Sequence, residues 1–357
     1  MNTTTSTRCG PNEHNISGSL RFRLWCFVLF VLFPSVVVSE DILVKTEPAQ
    51  HRIRIALELK AVGTRPDILV GELPLPESNE YQTIRRLKTS PGKELAYPEN
   101  GEKFLACRFV GAECPVPGTS VTMFHEFEAT LYDIVVDFSR IETIYPYNKN
   151  SSLYRRYTTK SGTLVDPGHP EIRRIAAKLA AESKGPVEFA RNAYVYVSDH
   201  YKYLNPYTGL APLERLLRNG GGDCGNLSSI FISLLRNQGI PARHLVAIRP
   251  DGSYHIWADF YLEKYGWIPV DVTYRLQDKT KSRDYFGRVR VDTNGVILSR
   301  DVDLSVADYQ GKAQKVTFMQ TFAHWNWYKS SPIGQTECLL SVTALPVDER
   351  QLPDMLK

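Results

Sequence analysis

The sequence predicts an α+β protein in which a β-rich region comes first and a mixed region of helices and strands follows. Three observations carry that prediction. Apolar residues recur at every second position across much of residues 51–157. They recur at helical spacing between residues 170 and 236, and the period of two returns from Arg243 to Tyr274. A period of two marks strands and one near 3.6 marks amphipathic helices, so the two signals divide the chain.

At 357 residues the chain is long enough for two domains with a sizeable core. The net charge of +4 is small, and no long basic run follows Arg23. That balance argues against nucleic acid or an anionic membrane surface as a partner. Arg21 and Arg23 precede an apolar run from Leu24 to Phe33, followed by Pro34 and Val36-Val37-Val38-Ser39. Residues 1–39 therefore read as a signal peptide cleaved near Ser39, giving a secreted or periplasmic protein. The stretch from Leu24 to Val38 is short for a membrane span and contains a proline, so no stable insertion is expected once it is removed. An uncleaved anchor stays open.

Cys9 and Cys26 leave with that segment, and Cys107, Cys114, Cys224 and Cys338 remain. Cys107 and Cys114 are close enough in sequence to bridge across a hairpin in an oxidising compartment, although spacing does not settle connectivity. As zinc ligands with His125 they lack the usual close pair and a fourth partner. No metal site and no cofactor is expected.

Residues 40–160 form the first expected domain. Ile53, Ile55, Leu57 and Leu59 alternate with charged or small residues. Phe127, Ala129 and Leu131 alternate in one phase, and Ile134, Val136 and Phe138 in the other, which suggests a bulge or turn near Asp133. With turn-rich pieces such as Glu72-Leu73-Pro74-Leu75-Pro76, this reads as a β-sandwich with a structural or substrate-orienting role.

Asp166-Pro167-Gly168-His169-Pro170 marks the entry to a second domain, residues 161–330, and residues 331–357 are a tail. Ile172, Ile175, Ala176, Leu179 and Ala180 form a helical face stopped at Gly185-Pro186; Val187, Ala190, Tyr194 and Val197 form another. Tyr194, Tyr196, Tyr201, Tyr203 and Tyr207 read as core packing plus surface tyrosines. A short helical piece spans Leu213 to Leu217.

Gly220-Gly221-Gly222-Asp223-Cys224 then leads straight into a helix. Leu227, Ile230, Phe231, Leu234 and Leu235 form its apolar face, and Gly239 with Pro241 stops it. Cys224 falls in the first turn, on the inward face. Unpaired N–H groups and the helix dipole favour negative charge there, so a thiol at such a place ionises more easily. The glycines let backbone approach a substrate closely. A buried structural cysteine in a glycine-rich turn is the alternative. The formal match of this stretch to a dinucleotide fingerprint fails, because a helical segment rather than a strand precedes it.

Strands are expected over Arg243–Ile248, Tyr254–Leu262 and Trp267–Tyr274, with a turn at Lys264-Tyr265-Gly266. His255, Trp257 and Asp259 share one face of the second strand; Trp267, Asp271 and Thr273 share one face of the third. His255 and Asp271 then lie within hydrogen-bond reach on neighbouring strands. His244 reads as structural, and His200 and His324 have no partner in evident spacing. Cys224, His255 and Asp271 are the three parts of an activated thiol nucleophile: sulfur, base and orienting carboxylate.

Four blocks in order closely resemble the transglutaminase-like superfamily: Gly222-Asp223-Cys224, Gly239-Ile240-Pro241-Ala242-Arg243, His255-Ile256-Trp257-Ala258-Asp259 and Gly266-Trp267-Ile268-Pro269-Val270-Asp271. The resemblance covers about residues 170–304, counting Tyr285-Phe286-Gly287. It implies a papain-like core with Cys224 as nucleophile, His255 as base and Asp271 as orienter. Asp259 stands where a glutamate is commoner. The Cys224 backbone N–H would be one oxyanion donor, and Tyr203 is a candidate for the second. The implied reaction attacks an amide of a peptide or protein and passes through a thioester. Water as the second nucleophile makes a peptidase or amidase, the preferred reading; a lysine amine makes a protein-glutamine gamma-glutamyltransferase. A binding module that keeps the fold without turnover is a third possibility.

Overall fold

In the computed structural model, residues 41–204, 211–277, 284–307, 310–316, 324–328 and 335–345 are described. The expected signal peptide, Tyr207 and much of the expected tail lie outside them, as do the side chains of His324 and Cys338.

The early alternation belongs to β1 (Leu43–Val62), where Ile53, Ile55, Leu57 and Leu59 are all fully buried. It is followed by β2 (Ile68–Leu75), β3 (Gln82–Thr89), β4 (Lys93–Ala96), β5 (Lys103–Val110) and β6 (Ser120–Val136). Helices α1 (Ser152–Tyr157), α2 (Pro170–Ala181) and α3 (Pro186–His200) come next, then the two-residue β7 (Lys202–Tyr203), α4 (Leu213–Asn219), β8 (Gly221–Gly222) and α5 (Cys224–Asn237). The chain continues through β9 (Ala242–Ile248), β10 (Tyr254–Leu262), β11 (Gly266–Val270), α6 (Val272–Gln277), β12 (Arg288–Val289), α7 (Val291–Asn294) and β13 (Val296–Arg300). It ends with β14 (Leu304–Ala307), β15 (Ala313–Val316), β16 (His324–Tyr328) and β17 (Gln335–Leu345).

One sheet runs β12-β6-β1-β17, with β3 also on β6; a second runs β16-β2-β5-β4. Ile53, Leu57, Leu69, Leu73, Leu105, Met123 and Phe127 from these two sheets share one buried cluster, which also takes in Cys224, Val246 and Ile256. Cys107 and Cys114 are both free and buried within it, so the bridge that their spacing left open is not formed. Their sulfurs instead lie 3.1 Å from the Pro91 carbonyl and 3.4 Å from that of Phe109.

No turn interrupts β6 near Asp133. The irregularity sits on its partner, where Thr46 pairs with Asp133 but Ala49 with Leu131, one residue too many on β1. Pro48 lies in that step, where its missing N–H costs no ladder bond. The phase change has a packing cause. Leu131 belongs to the cluster of the two sheets, Ile134 packs with Leu245 and Trp257, and Val136 packs with Ile172 and Leu227.

A third sheet, β11-β10-β9-β13, has α5 against one face. The expected apolar residues of α5 are fully buried, but so is nearly everything else from Cys224 to Arg236. Three serines make this possible by returning their hydroxyls to the preceding turn: Ser228 to Cys224 O at 2.9 Å, Ser229 to Gly225 O at 3.1 Å and Ser233 to Ser229 O at 2.7 Å. The opposite face of the sheet, carrying His255, Trp257 and Asp259, is covered rather than solvated. Tyr81 and Ile134 pack on Leu245, Ala247 and Trp257.

The edge strand of that sheet is held by side chains from the β-rich region. The amide of Gln82, itself buried, donates to Ile297 O at 2.8 Å and accepts from Ile297 N at 2.8 Å. Glu102 accepts from Arg300 N at 2.9 Å, and Asn100 donates to Arg300 O at 2.8 Å.

Candidate active site

Asp223 caps α5, its carboxylate accepting the Asn226 backbone N–H at 3.1 Å, so Cys224 is the first helical residue. The glycines ahead of it serve the chain rather than an approaching substrate. Gly220 closes α4 in the left-handed region with φ 71°. Gly221 and Gly222 pair in parallel with Lys202 and Tyr203, so tightly that a Cβ on Gly221 would stand 2.0 Å from the Lys202 carbonyl oxygen. On Gly222 a Cβ would stand 2.5 Å from that of Asn226. Gly221→Ala is accordingly expected to lower stability by about 1–3 kcal/mol, read from the urea midpoint, because the clash is with backbone that cannot rotate away.

This parallel pairing puts Tyr203 beside the nucleophile turn, where it lines a cleft of about 430 Å³ together with Cys224, His255, Thr273, Tyr274 and Gln277. Burial, and then its neighbours Cys224 and Asp223, push its phenol up to about 12, so it keeps its O–H as a donor at neutral pH.

His255 comes from the middle of the third sheet, opposite Ala247. Its Nε2 lies 2.5 Å from Oδ2 of Asp271, and the ring also hydrogen-bonds the Cys224 thiol, for which Nδ1 is left free. Trp257 stacks alongside at 5.7 Å between centroids and Tyr274 lies at 5.0 Å, which holds the imidazole in one orientation. Burial disfavours a charged ring, but the Asp271 carboxylate outweighs it and, with Cys224, lifts the imidazole to about 9.

Asp271 is not on a strand that continues to Tyr274, as the alternation suggested. β11 stops at Val270 and α6 begins at Val272, with Asp271 between them. Its Oδ1 accepts the Thr273 backbone N–H at 3.0 Å, a capping bond that turns the β-branched Val272-Thr273 into helix, and its own N–H donates to Tyr285 O at 3.1 Å. Tyr285-Phe286-Gly287 therefore fastens the end of β11. Asn294, fully buried and not singled out by the sequence, donates to Asp271 Oδ2 at 3.4 Å while its Oδ1 accepts Arg290 N at 2.9 Å. No spacing marks it, since its partner lies in another element.

Asp259 is not part of this row. It pairs side-on with Arg243, whose Nε is 3.0 Å from Oδ1 and whose Nη2 is 2.9 Å from Oδ2; Glu80 joins at 2.9 Å and Trp267 stacks on the guanidinium at 3.7 Å. Burial disfavours the Arg243 charge, but Asp259 more than compensates and holds it above its ordinary range. His244 is fully buried, its Nε2 3.1 Å from Ser229 Oγ, and burial lowers it to about 3, so it stays neutral within the core. Exposed His200 stacks on Tyr196.

A protonated imidazole is what a leaving amine needs. Turnover of an amide is therefore expected to hold through neutral pH and fall through an alkaline limb near pH 9, measured as kcat/KM against pH. The matching stability contribution is fully present below the unfolded histidine value, about 6.5, and is lost as pH rises through about 9. Asp271→Asn should move the limb toward neutral pH, since the carboxylate is what raises the ring.

Residues 173–272 match the family model of the Transglutaminase-like superfamily, a span that contains Cys224, His255 and Asp271. An uncharacterised protein of Haemophilus influenzae is 29% identical over 175 residues, 37% of this chain and 47% of that protein, so the match spans about half the relative's length. Among solved structures, a candidate cysteine protease from Cytophaga hutchinsonii superposes with a TM-score of 0.56 at 13% identity, covering 86% of this chain and 94% of that one. The periplasmic domain of TgpA from Pseudomonas aeruginosa gives a TM-score of 0.35 at 13% identity, covering 65% and 91%. The fold is the α+β, papain-like arrangement that the sequence predicts.

Proposed function

We propose that this chain, which carries a transglutaminase-like domain over residues 173–272, is a thiol enzyme that hydrolyses amide bonds of peptides or proteins. The observation that carries the reading is His255, buried between the Cys224 thiol and the Asp271 carboxylate at the wall of an open cleft. His255 takes the Cys224 thiol proton as the sulfur attacks the amide carbonyl carbon, and the resulting oxyanion is met by the Cys224 backbone N–H and the Tyr203 phenol. His255 gives its proton to the departing amine as the C–N bond breaks, leaving a thioester on Cys224. Water then attacks the thioester, His255 takes its proton, and the C–S bond breaks to release a carboxylic acid and the thiol. Asp271 keeps the ring oriented and balances its charge throughout. Ser253, Thr273 and Gln277 give the cleft a polar lining that accommodates that water.

The working unit lies within residues 161–330, with residues 40–160 supporting it and residues 1–39 directing export; β16 and β17, placed by the sequence in that unit and in the tail, pair instead with β2 and β1. Sequencing the N-terminus of the mature protein tests the last point, a start after Ser39 being expected. Among the described residues no helix is long and apolar enough to cross a membrane.

The activity test is a peptide library incubated with wild type and with Cys224→Ser, in the presence of a primary amine. Products gaining water, absent in the variant, support hydrolysis. Amine incorporation instead makes the protein a transferase, and binding without any thioester makes it a non-catalytic module.

A further inference from the structure

Arg249 is the one Lys or Arg among the described residues lining the cleft that holds Cys224. It stands two residues beyond Ala247, the strand partner of His255, and so lies diagonally from the imidazole on the same face of the sheet. Four side-chain bonds hold it. Nε donates to Thr293 O at 2.6 Å, Nη1 to Ser253 Oγ at 3.2 Å and Tyr254 O at 3.3 Å, and Nη2 to the Tyr274 phenol, whose ring is 5.0 Å from that of His255. A guanidinium has five N–H groups, so one on Nη2 is left over.

All four acceptors are neutral. Among the described residues no carboxylate forms an ion pair with Arg249. Two acids share the cleft with it: Asp251 Oδ1 accepts from Ser253 N at 2.8 Å and Oγ at 2.6 Å and feels the Arg249 charge without a direct pair, and Asp292 pairs with Arg290 at 3.0 Å. A half-buried cation hydrogen-bonded only to neutral groups, with one donor unspent and in the cleft that also holds the nucleophile, is an arrangement that recognises an anion.

We propose that Arg249 is the specificity residue of this cleft and that the preferred substrate carries a carboxylate next to its scissile amide. This rests on the thiol-enzyme reading above. The carboxylate can belong to an acidic side chain or to the end of a peptide chain, and the two are separable.

The test compares two reagents that alkylate Cys224 by the same displacement of iodide: anionic iodoacetate and neutral iodoacetamide. Modification is followed by mass on the peptide containing Cys224. In Arg249→Gln the iodoacetate rate is expected to fall about fivefold, the effect of one charge at short range near a surface. The iodoacetamide rate should stay within twofold, and Arg249→Lys should keep most of the iodoacetate preference. His255 also attracts an anion, so the comparison between wild type and variant is what isolates Arg249.

A second measurement needs only the wild type, and so stands if the variant does not fold. Short amidated peptides differing as Glu against Gln, and peptides differing as free against amidated C-terminus, compete with iodoacetamide for Cys224. The carboxylate member of one pair should protect at about fivefold lower concentration, and the pair that does so identifies the source. No difference within either pair, or an unchanged reagent ratio in Arg249→Gln, overturns the proposal. Cys224 reacting no faster than free N-acetylcysteine would sink the thiol-enzyme reading itself, and this inference with it.

Discussion

His255→Ala is expected to lower turnover of a peptide amide by about a thousandfold or more, with Cys224→Ala at least as severe. The size follows from how little else can do the work. The ring takes the thiol proton, protonates the departing amine and activates water, and among the described cleft residues no second imidazole is in place to substitute. His244 is the next histidine along the neighbouring strand, but it points into the core toward Ser229 and is held neutral there. The three side chains act as a unit, so combining His255→Ala with Asp271→Asn should cost little more than His255→Ala alone. Single-turnover assays with an activated ester and an amide would check this. The amide should suffer far more, because its leaving group requires the proton. Comparable losses on both would show that the histidine is not the acid.

Arg243→Met is expected to destabilise the protein by about 3–5 kcal/mol, because it strands the Asp259 carboxylate in a place with no water. Both groups are buried, and their two parallel hydrogen bonds satisfy the carboxylate almost completely; Tyr81 adds a phenol at 3.4 Å from Oδ2. Replacing both partners together, Arg243→Met with Asp259→Leu, should recover most of the loss, since no uncompensated charge is then left. Urea denaturation gives the comparison directly, and a single-variant loss under about 1 kcal/mol would mean that water reaches the pair. Activity at temperatures where Arg243→Met remains folded should be nearly normal, because Asp259 belongs to the joint beneath Tyr81 and not to the row of Cys224, His255 and Asp271.

The parts of the site legible in the sequence are those that local pattern controls. The apolar face from Leu227 to Leu235 located Cys224 at a helix start, and alternation from Tyr254 to Leu262 put His255 on the face opposite Ile256 and Phe260. What pattern missed was decided by partners distant in the chain. The run Val272-Thr273-Tyr274 looks like strand by propensity, yet one capping bond from Asp271 makes it helix. Asp259 sits in a motif with His255, but its role is set by Arg243 and by Glu80, far upstream in the chain. The glycines before Cys224 suggested room for a substrate, while the space they leave is filled by Lys202 and Asn226.

The bonds from Gln82, Asn100 and Glu102 to Ile297 and Arg300 bear on solubility at high concentration. β13 is the last strand of its sheet, and an outermost strand with free amides invites a neighbouring molecule to add its own. Borrowed side chains occupy those amides at two points, so the sheet ends as if another strand were already there and self-association along that rim has nothing to grip.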